Sequence, residues 1–466
     1  MSLEADPRGG FTPQTTITDT SVQRKLTIAL SSIIFFSVLN GTMFNVSIPD
    51  IGREFNLLPS QVSWVVSGYI ILFALGTVIY GKLADNLPVK NLITFGLILF
   101  STGSLIGFLA RWYPMLIAGR MVQASGAGAI PALAMLVTTR YFPADIRGRS
   151  LGIIASTVAS GAAVGPLIGG FITGTFHWRY LFLISLLALF AIPHLRGLLP
   201  DEEKHAVRFD KSGAVLLSFT VAALLLSVTL GALPAFGAAC VLGTWFILHI
   251  RRADAPFVPP ALFRNRKYRI AVIATFFTVG TVFGMMFLVP LMLRALNNAG
   301  AREIGLVMFP GALSAAILGV AAGKLSDKRG SVPVVRIGQA LLIAGFFLLS
   351  VLAGNAPWIV ALNLIICYAG FSFLQSSLAH TVSATLPREQ MGIGMGIYNL
   401  VLFMSGGFSA ALIGKLLDLT GGRASANAVS DLPAASSYSV IFLLLALVVL
   451  AASALFHTAF RAKDRK

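Results

Sequence analysis

Charge is what this sequence has least of. Only 11% of its 466 residues are Asp, Glu, Lys or Arg, against roughly a quarter in soluble proteins. Cysteine is nearly absent too: Cys240 and Cys367 are the only two, and both fall in apolar stretches. That excludes a disulfide framework and leaves the redox compartment open. No GxxxxGK[ST] phosphate loop occurs, nor a spaced set of metal ligands or a nucleophile triad. The sequence therefore predicts no enzyme activity, no cofactor, no metal and no need for a nucleotide-binding subunit. The first 25 residues are polar and carry Glu4, Asp6 and Asp19. They lack the basic start and short apolar run of a cleavable leader, so the first span is expected to act as the insertion signal.

What is abundant is apolar sequence. Hydrophobic residues make up 56% of the chain, and the mean hydropathy is +0.84. A bilayer core takes about 20 apolar residues per helix. The chain reads as fourteen such spans, at 27–49, 61–81, 91–110, 113–138, 149–174, 179–199, 212–231, 234–251, 270–294, 303–323, 332–353, 357–383, 392–416 and 438–460. The fold class expected is an all-α polytopic membrane protein.

An even number of spans puts both termini on one side. With the N-terminus inside, 27 of the 35 Lys and Arg fall in inside segments. The outside loops hold Arg53, Arg111, Arg179, Arg294, Arg302, Lys415 and Arg423. Basic residues favour the cytoplasmic side, so both termini are expected in the cytoplasm of a bacterial cell, with the chain in its plasma membrane. The formal charge of +17 is topogenic on this reading and does not indicate nucleic acid. The basic group Arg264, Arg266, Lys267 and Arg269 reads as the same topology signal, placed to meet anionic head groups.

The chain repeats itself. GKLADNLPVK at 81–90 is echoed by GKLSDKRGSV at 323–332, an offset of 242. FPADIRGRSLG at 142–152 is echoed by LPREQMGIGMG at 386–396, an offset of 244. Two near-equal offsets imply two homologous halves. The expected division is a cytoplasmic tail 1–26, a first six-helix half 27–199, a linker 200–269 with two extra spans, a second half 270–460 and a tail 461–466. Parallel halves around a central site are a transporter architecture. The echoed loops supply candidate gate residues: Gly81, Asp85, Gly323, Asp327 and Arg329. Each carboxylate is expected either to face a helix N-terminus, where an anion is favoured, or to pair with nearby basic residues.

Glycine at 161, 165 and 169, with Pro166 among them, would weaken a soluble helix. In lipid, small residues four apart let backbones approach, and proline is tolerated because neighbours re-satisfy the backbone. Arg120 is the sharpest single residue, the one charge set well inside a span, where it carries a penalty of about 2.5–3.5 kcal/mol. Gln123 lies one turn on. The other polar groups inside spans are Asn40 and Asn45 in the first, Asn363, Gln375 and His380 in the twelfth, and Tyr398 and Asn399 in the thirteenth. His380 is the one imidazole among them, placed within about two turns of the cytoplasmic end. Met285, Met286 and Phe283 would suit a plastic apolar cavity.

GKLAD after span 2, its echo, and GRMVQASGAGA in span 4 resemble the major facilitator superfamily. Fourteen spans and the 160–170 stretch are similar to its drug:proton antiporter branch. LNGTMFNVSIPDI (39–51), VIYGKLADNLPVK (78–90), GRMVQASGAGAIPAL (119–133) and YLFLI (180–184) most resemble Gram-positive tetracycline efflux proteins, and the likeness runs from about 28 to 420. The resemblance implies two six-helix halves plus an inserted pair. It gives Arg120 a role in proton coupling and makes Gly161, Gly165, Pro166 and Gly169 an antiporter seam. It also implies intramembrane carboxylates in spans 1, 5 and 13, but Gly41, Ala162 and Gly406 stand at those places here. Gln375 stands where those pumps have a basic residue. The missing acids put tetracycline–metal exchange in doubt.

The expected function is secondary efflux of small amphipathic compounds, with proton coupling, by alternating access. The partners expected are a small-molecule substrate, protons and the bilayer. Two readings stay beside it: a facilitator or uptake carrier for an anionic or sugar-like solute, and a membrane sensor that no longer transports.

Overall fold

A computed structural model describes residues 17–202, 210–253, 256–387, 390–420 and 434–460. Arg388 of the second echo, Arg423 and the tails 1–16 and 461–466 lie outside them. Among the described residues there are fourteen helices long and apolar enough to cross a membrane. We number them α1 Thr20–Glu54, α2 Pro59–Leu83, α3 Val89–Phe108, α4 Tyr113–Tyr141, α5 Asp145–Thr175, α6 Trp178–Leu198, α7 Lys211–Leu230 and α8 Leu233–Arg252. Then follow α9 Arg266–Asn297, α10 Ala301–Arg329, α11 Ser331–Val351, α12 Pro357–Ser383, α13 Met391–Leu419 and α14 Ser436–Ala459.

The fold is two six-helix halves with an inserted pair, and the packing repeats at the offsets seen in the sequence. Gly161 and Gly165 of α5 lie on Val38 and Thr42 of α1. At offsets of 242 and 244, Gly280 and Gly284 of α9 lie on Ser405 and Ser409 of α13. The same close crossing is built twice, with the glycines on opposite partners. Asn56 and Asn298, again 242 apart, are the two non-glycine residues with positive φ among the described residues, at 53° and 52°. Asparagine tolerates that region, and each ends a span before a tight turn.

The inserted α7 packs where the halves meet. Its Val221 and Leu225 share a cluster with Ile71, Ala74 and Leu75 of α2 and with Leu400 and Ala411 of α13. Asp210 anchors the pair. It accepts hydrogen bonds from Gly213 N at 2.7 Å and Phe257 N at 3.0 Å, and pairs with His249 Nε2 at 2.7 Å. These bonds tie the start of α7, the end of α8 and the following linker together. Burial raises the Asp210 carboxyl, but the hydrogen bonds from His249, Gly213 and Phe257 outweigh it and hold it below the usual carboxylate range.

The echoed loops differ from expectation. Pro88 ends the first, so α2 stops at Leu83 and a turn follows. The second has no proline before Pro333, and its Lys, Leu and Arg are good helix formers. Gly323, Asp327 and Arg329 therefore lie inside α10, which ends at Gly330 with φ +82°, and do not form a loop. Gly81 likewise lies in the last turn of α2. The N-terminus of α3 is met by Glu202, whose carboxylate accepts Val89 N at 2.7 Å and pairs with Arg140 at 2.8 Å. Asp85 does not take that place. Burial raises its carboxyl above the usual range, against the pull of Arg140 and Lys82.

Candidate functional site

Arg120 is 1% exposed, inside the first half. Its Nε donates to Val65 O at 3.1 Å, and its Nη1 to Asn40 Oδ1 at 2.7 Å and Gln123 Oε1 at 2.8 Å. The network continues outward: Asn40 Nδ2 donates to Ser185 Oγ at 2.5 Å and Gln123 Nε2 to Ser104 Oγ at 2.7 Å. The guanidinium also lies over two rings, Tyr69 at 3.8 Å and Phe44 at 4.3 Å. Oxygens and ring faces from α1, α2 and α4 thus surround this cation, α3 and α6 hold its amide partners in turn, and no carboxylate is among them. Each buried polar group has to be met in this way in a bilayer. The second half has no counterpart. At an offset of 244, Leu364 stands for Arg120 and Cys367 for Gln123, and Gly345 meets Cys367 as Gly103 meets Gln123.

The halves touch at the end away from the termini, through glycines. Gly170 of α5 lies on the backbone of Ala301 and Gly305 in α10, and Gly305 in turn meets Pro166 O. At the equivalent place, Gly414 of α13 lies on Pro59 and Ser60 of α2, and Gly407 on Ser67 and Ile71. Asp50 of α1 pairs with Arg294 of α9 across the same end, and Asp418 accepts Ser60 N at 3.3 Å. At the termini-bearing end the same four helices stand apart. A Cβ placed at Gly81, Gly148, Gly152, Gly323, Gly392 or Gly396 would meet nothing within 4 Å. The molecule is closed at one end and open at the other.

Residues 30–411 match the Major Facilitator Superfamily. The chain belongs to that superfamily. Multidrug transporter protein MdtP of Bacillus subtilis (strain 168) is 26% identical over 417 residues, which cover 86% of this chain and 77% of MdtP. Riboflavin transporter RibZ of Clostridioides difficile (strain 630) is 27% identical over 379 residues, covering 78% of this chain and 81% of RibZ. The fold is shared with a bacterial homologue of the human lysosomal transporter Spinster, in an inward-facing and unoccupied conformation. That likeness has a TM-score of 0.69 at 15% identity and covers 95% of this chain and 97% of the other.

Within this facilitator fold the residues singled out in the sequence fall into separate groups. Asn40, Arg120 and Gln123 form the buried network and do not reach the cleft. Asn45 lies on the α1 stripe of Val38, Gly41 and Thr42; it is 7% exposed, and its Oδ1 has no partner among the described residues. Gln375 is exposed one turn beyond Phe371, whose ring meets Phe283 of α9 at 6.2 Å. Asn399 is exposed on the α13 face that next brings Phe403 onto Phe73 of α2, at 5.1 Å, and then Gly407 onto Ile71. His380 does not join them. It stands five full turns after Leu362, which is 57% exposed, and so shares that outward stripe of α12 rather than the Gln375 side. Met285 is fully buried in the core, so of the three expected cavity residues only Phe283 and Met286 are half-open.

The three places of the absent carboxylates are not alike. Gly41 faces open space, with nothing within 4 Å of a Cβ there. Ala162 is half-buried. At Gly406 a side chain would run into the Phe283 ring, 2.8 Å from its Cγ. The seam residues also serve two partners. Gly161, Gly165 and Gly169 meet α1, whereas Pro166, Gly170 and Gly174 meet α10.

Sequence reasoning missed Gly170, Gly305, Gly407 and Gly414, although Gly170 ends the 160–170 stretch already singled out and Gly407 stands beside Gly406. It also missed the Asp50–Arg294 pair, whose members lie in different halves, and Glu202.

Proposed function

We propose that this chain is a secondary transporter that exports small amphipathic compounds across a bacterial plasma membrane by alternating access, with both termini cytoplasmic. The observation that carries this reading is the cleft: sealed at one end by paired glycine contacts and an ion pair, open at the other. Glycine contacts are close but shallow, so they can part without leaving buried side chains unpartnered. The gate residues Asp85, Asp327 and Arg329 all lie at the open end, where they are free to pair when that end closes. MdtP supports efflux of drug-like compounds, and the 160–170 seam supports the antiporter branch. Arg120 holds the polar core through which proton binding is felt.

One observation favours a proton-independent variant of the same transport. Gly41 and Gly406 leave the cleft without the carboxylates that would carry the proton. The test is flux of a compound panel in proteoliposomes, with and without an imposed pH gradient. Saturable flux that responds to the gradient supports antiport, and gradient-indifferent saturable flux supports facilitation. Absence of saturable flux across the panel contradicts both.

A further inference from the structure

We propose that the cleft selects uncharged, flat aromatic solutes with hydrogen-bonding edges, and that the Phe283 ring has replaced a charge as the selecting group. This rests on the transport reading and names its substrate class.

Four observations converge. First, among the described residues, every Asp, Glu, Lys and Arg except Arg120 lies within about a turn and a half of a span's end, and Arg120 is sealed in its own half. An ion entering the middle of the cleft therefore finds no counter-charge to replace its hydration, which makes its entry unfavourable. Second, Phe283 fills the volume beside Gly406 and meets Phe371 edge-on at 71°. Third, Phe403 and Phe73 meet at 81° across the two halves, with Tyr69 stacked along Phe73. Edge-to-face pairs leave one ring face uncovered by its partner, and such a face takes a flat ring well. Fourth, the exposed polar side chains next to these rings, Gln375 one turn from Phe371 and Asn399 one turn from Phe403, are amides. Amides present one donor and one acceptor edge each, which suits a neutral ring bearing amide or imide groups better than an ion.

Gly41 supplies the control. It faces open space, with nothing within 4 Å of a Cβ there, so a carboxylate fits without displacing anything. Gly41→Asp is expected to restore acceptance of cations without disturbing the fold.

The experiment uses the full chain in lipid nanodiscs and three fluorescent flat-ring probes: riboflavin, which is neutral, flavin mononucleotide, which is anionic, and ethidium, which is cationic. The expected result is riboflavin binding at least about tenfold tighter than either ion, a preference of the size set by unmatched polar groups in a buried site. Gly41→Asp is expected to raise ethidium affinity by about tenfold relative to riboflavin. Phe283→Ala and the milder Phe283→Leu are each expected to weaken riboflavin with an unchanged unfolding transition. Equal binding of all three probes, tighter binding of either ion, or failure of riboflavin to bind folded protein overturns the proposal. Riboflavin that binds but is not moved in proteoliposomes defeats the transport reading and leaves the selectivity standing.

Discussion

A guanidinium with no carboxylate near it, as at Arg120, is held by geometry rather than by charge pairing. Its planar fork meets Val65 O, Asn40 and Gln123 at once, and its faces lie between Phe44 and Tyr69. A lysine has neither the fork nor the stacking face. Arg120→Lys is therefore expected to lower the unfolding temperature in detergent, with each orphaned acceptor worth about 1–3 kcal/mol, and to reduce flux. An unchanged melting temperature would show that the cage does not depend on the fork. Arg120 was legible because a lone charge inside an apolar span is conspicuous. Its partners Asn40 and Gln123 were singled out as well, but the serines behind them were not, because Ser104 and Ser185 are ordinary in a helix and their place in the network exists only after the spans pack. The placing of His380 was not legible for a related reason: sequence gives the residue but not which way its helix is turned.

The α1–α5 crossing depends on what each glycine meets. A methyl at Gly165 would strike the Thr42 side chain, whereas one at Gly169 would strike the backbone of Met43. Overpacking of this kind destabilises by about 1–3 kcal/mol. Gly165→Ala is expected to lower the melting temperature and Thr42→Gly to restore much of the loss. No substitution at Met43 is expected to rescue Gly169→Ala, since backbone cannot be removed. Thermal unfolding of the four variants and two doubles checks this. The inserted pair carries a pH expectation. The Asp210 carboxyl is held below its ordinary value, so its stabilisation is in place above that value and is lost as pH falls through the lowered one. Hydrogen exchange in α7 and α8 should stay slow at neutral pH and quicken in that acidic window. Asp210→Asn should quicken it at neutral pH by the loss of about 2 kcal/mol of charge-assisted bonding. The spans themselves were legible from apolar length alone. The end of α10 was not, because an echo of a turn is not a turn when the proline that makes it is missing.

The repeat that sequence displays twice governs the whole molecule. It relates the α1–α5 crossing to α9–α13, and the Gly170 contact to the Gly414 contact. Offsets near 242 were readable from two loops. What those offsets do at the interface was not, because Gly170 and Gly414 look like any small residue until their partners arrive. The central claim is that the two ends open in alternation. Electron–electron resonance distances test it most directly, with spin labels at Arg53 and Gly300 across the closed end and at Leu87 and Lys328 across the open end. The account predicts that Gly170→Val with Gly414→Val, whose added side chains strike backbone at the seal, lengthens the first distance and shortens the second. Lengthening of the first with no change in the second would contradict it.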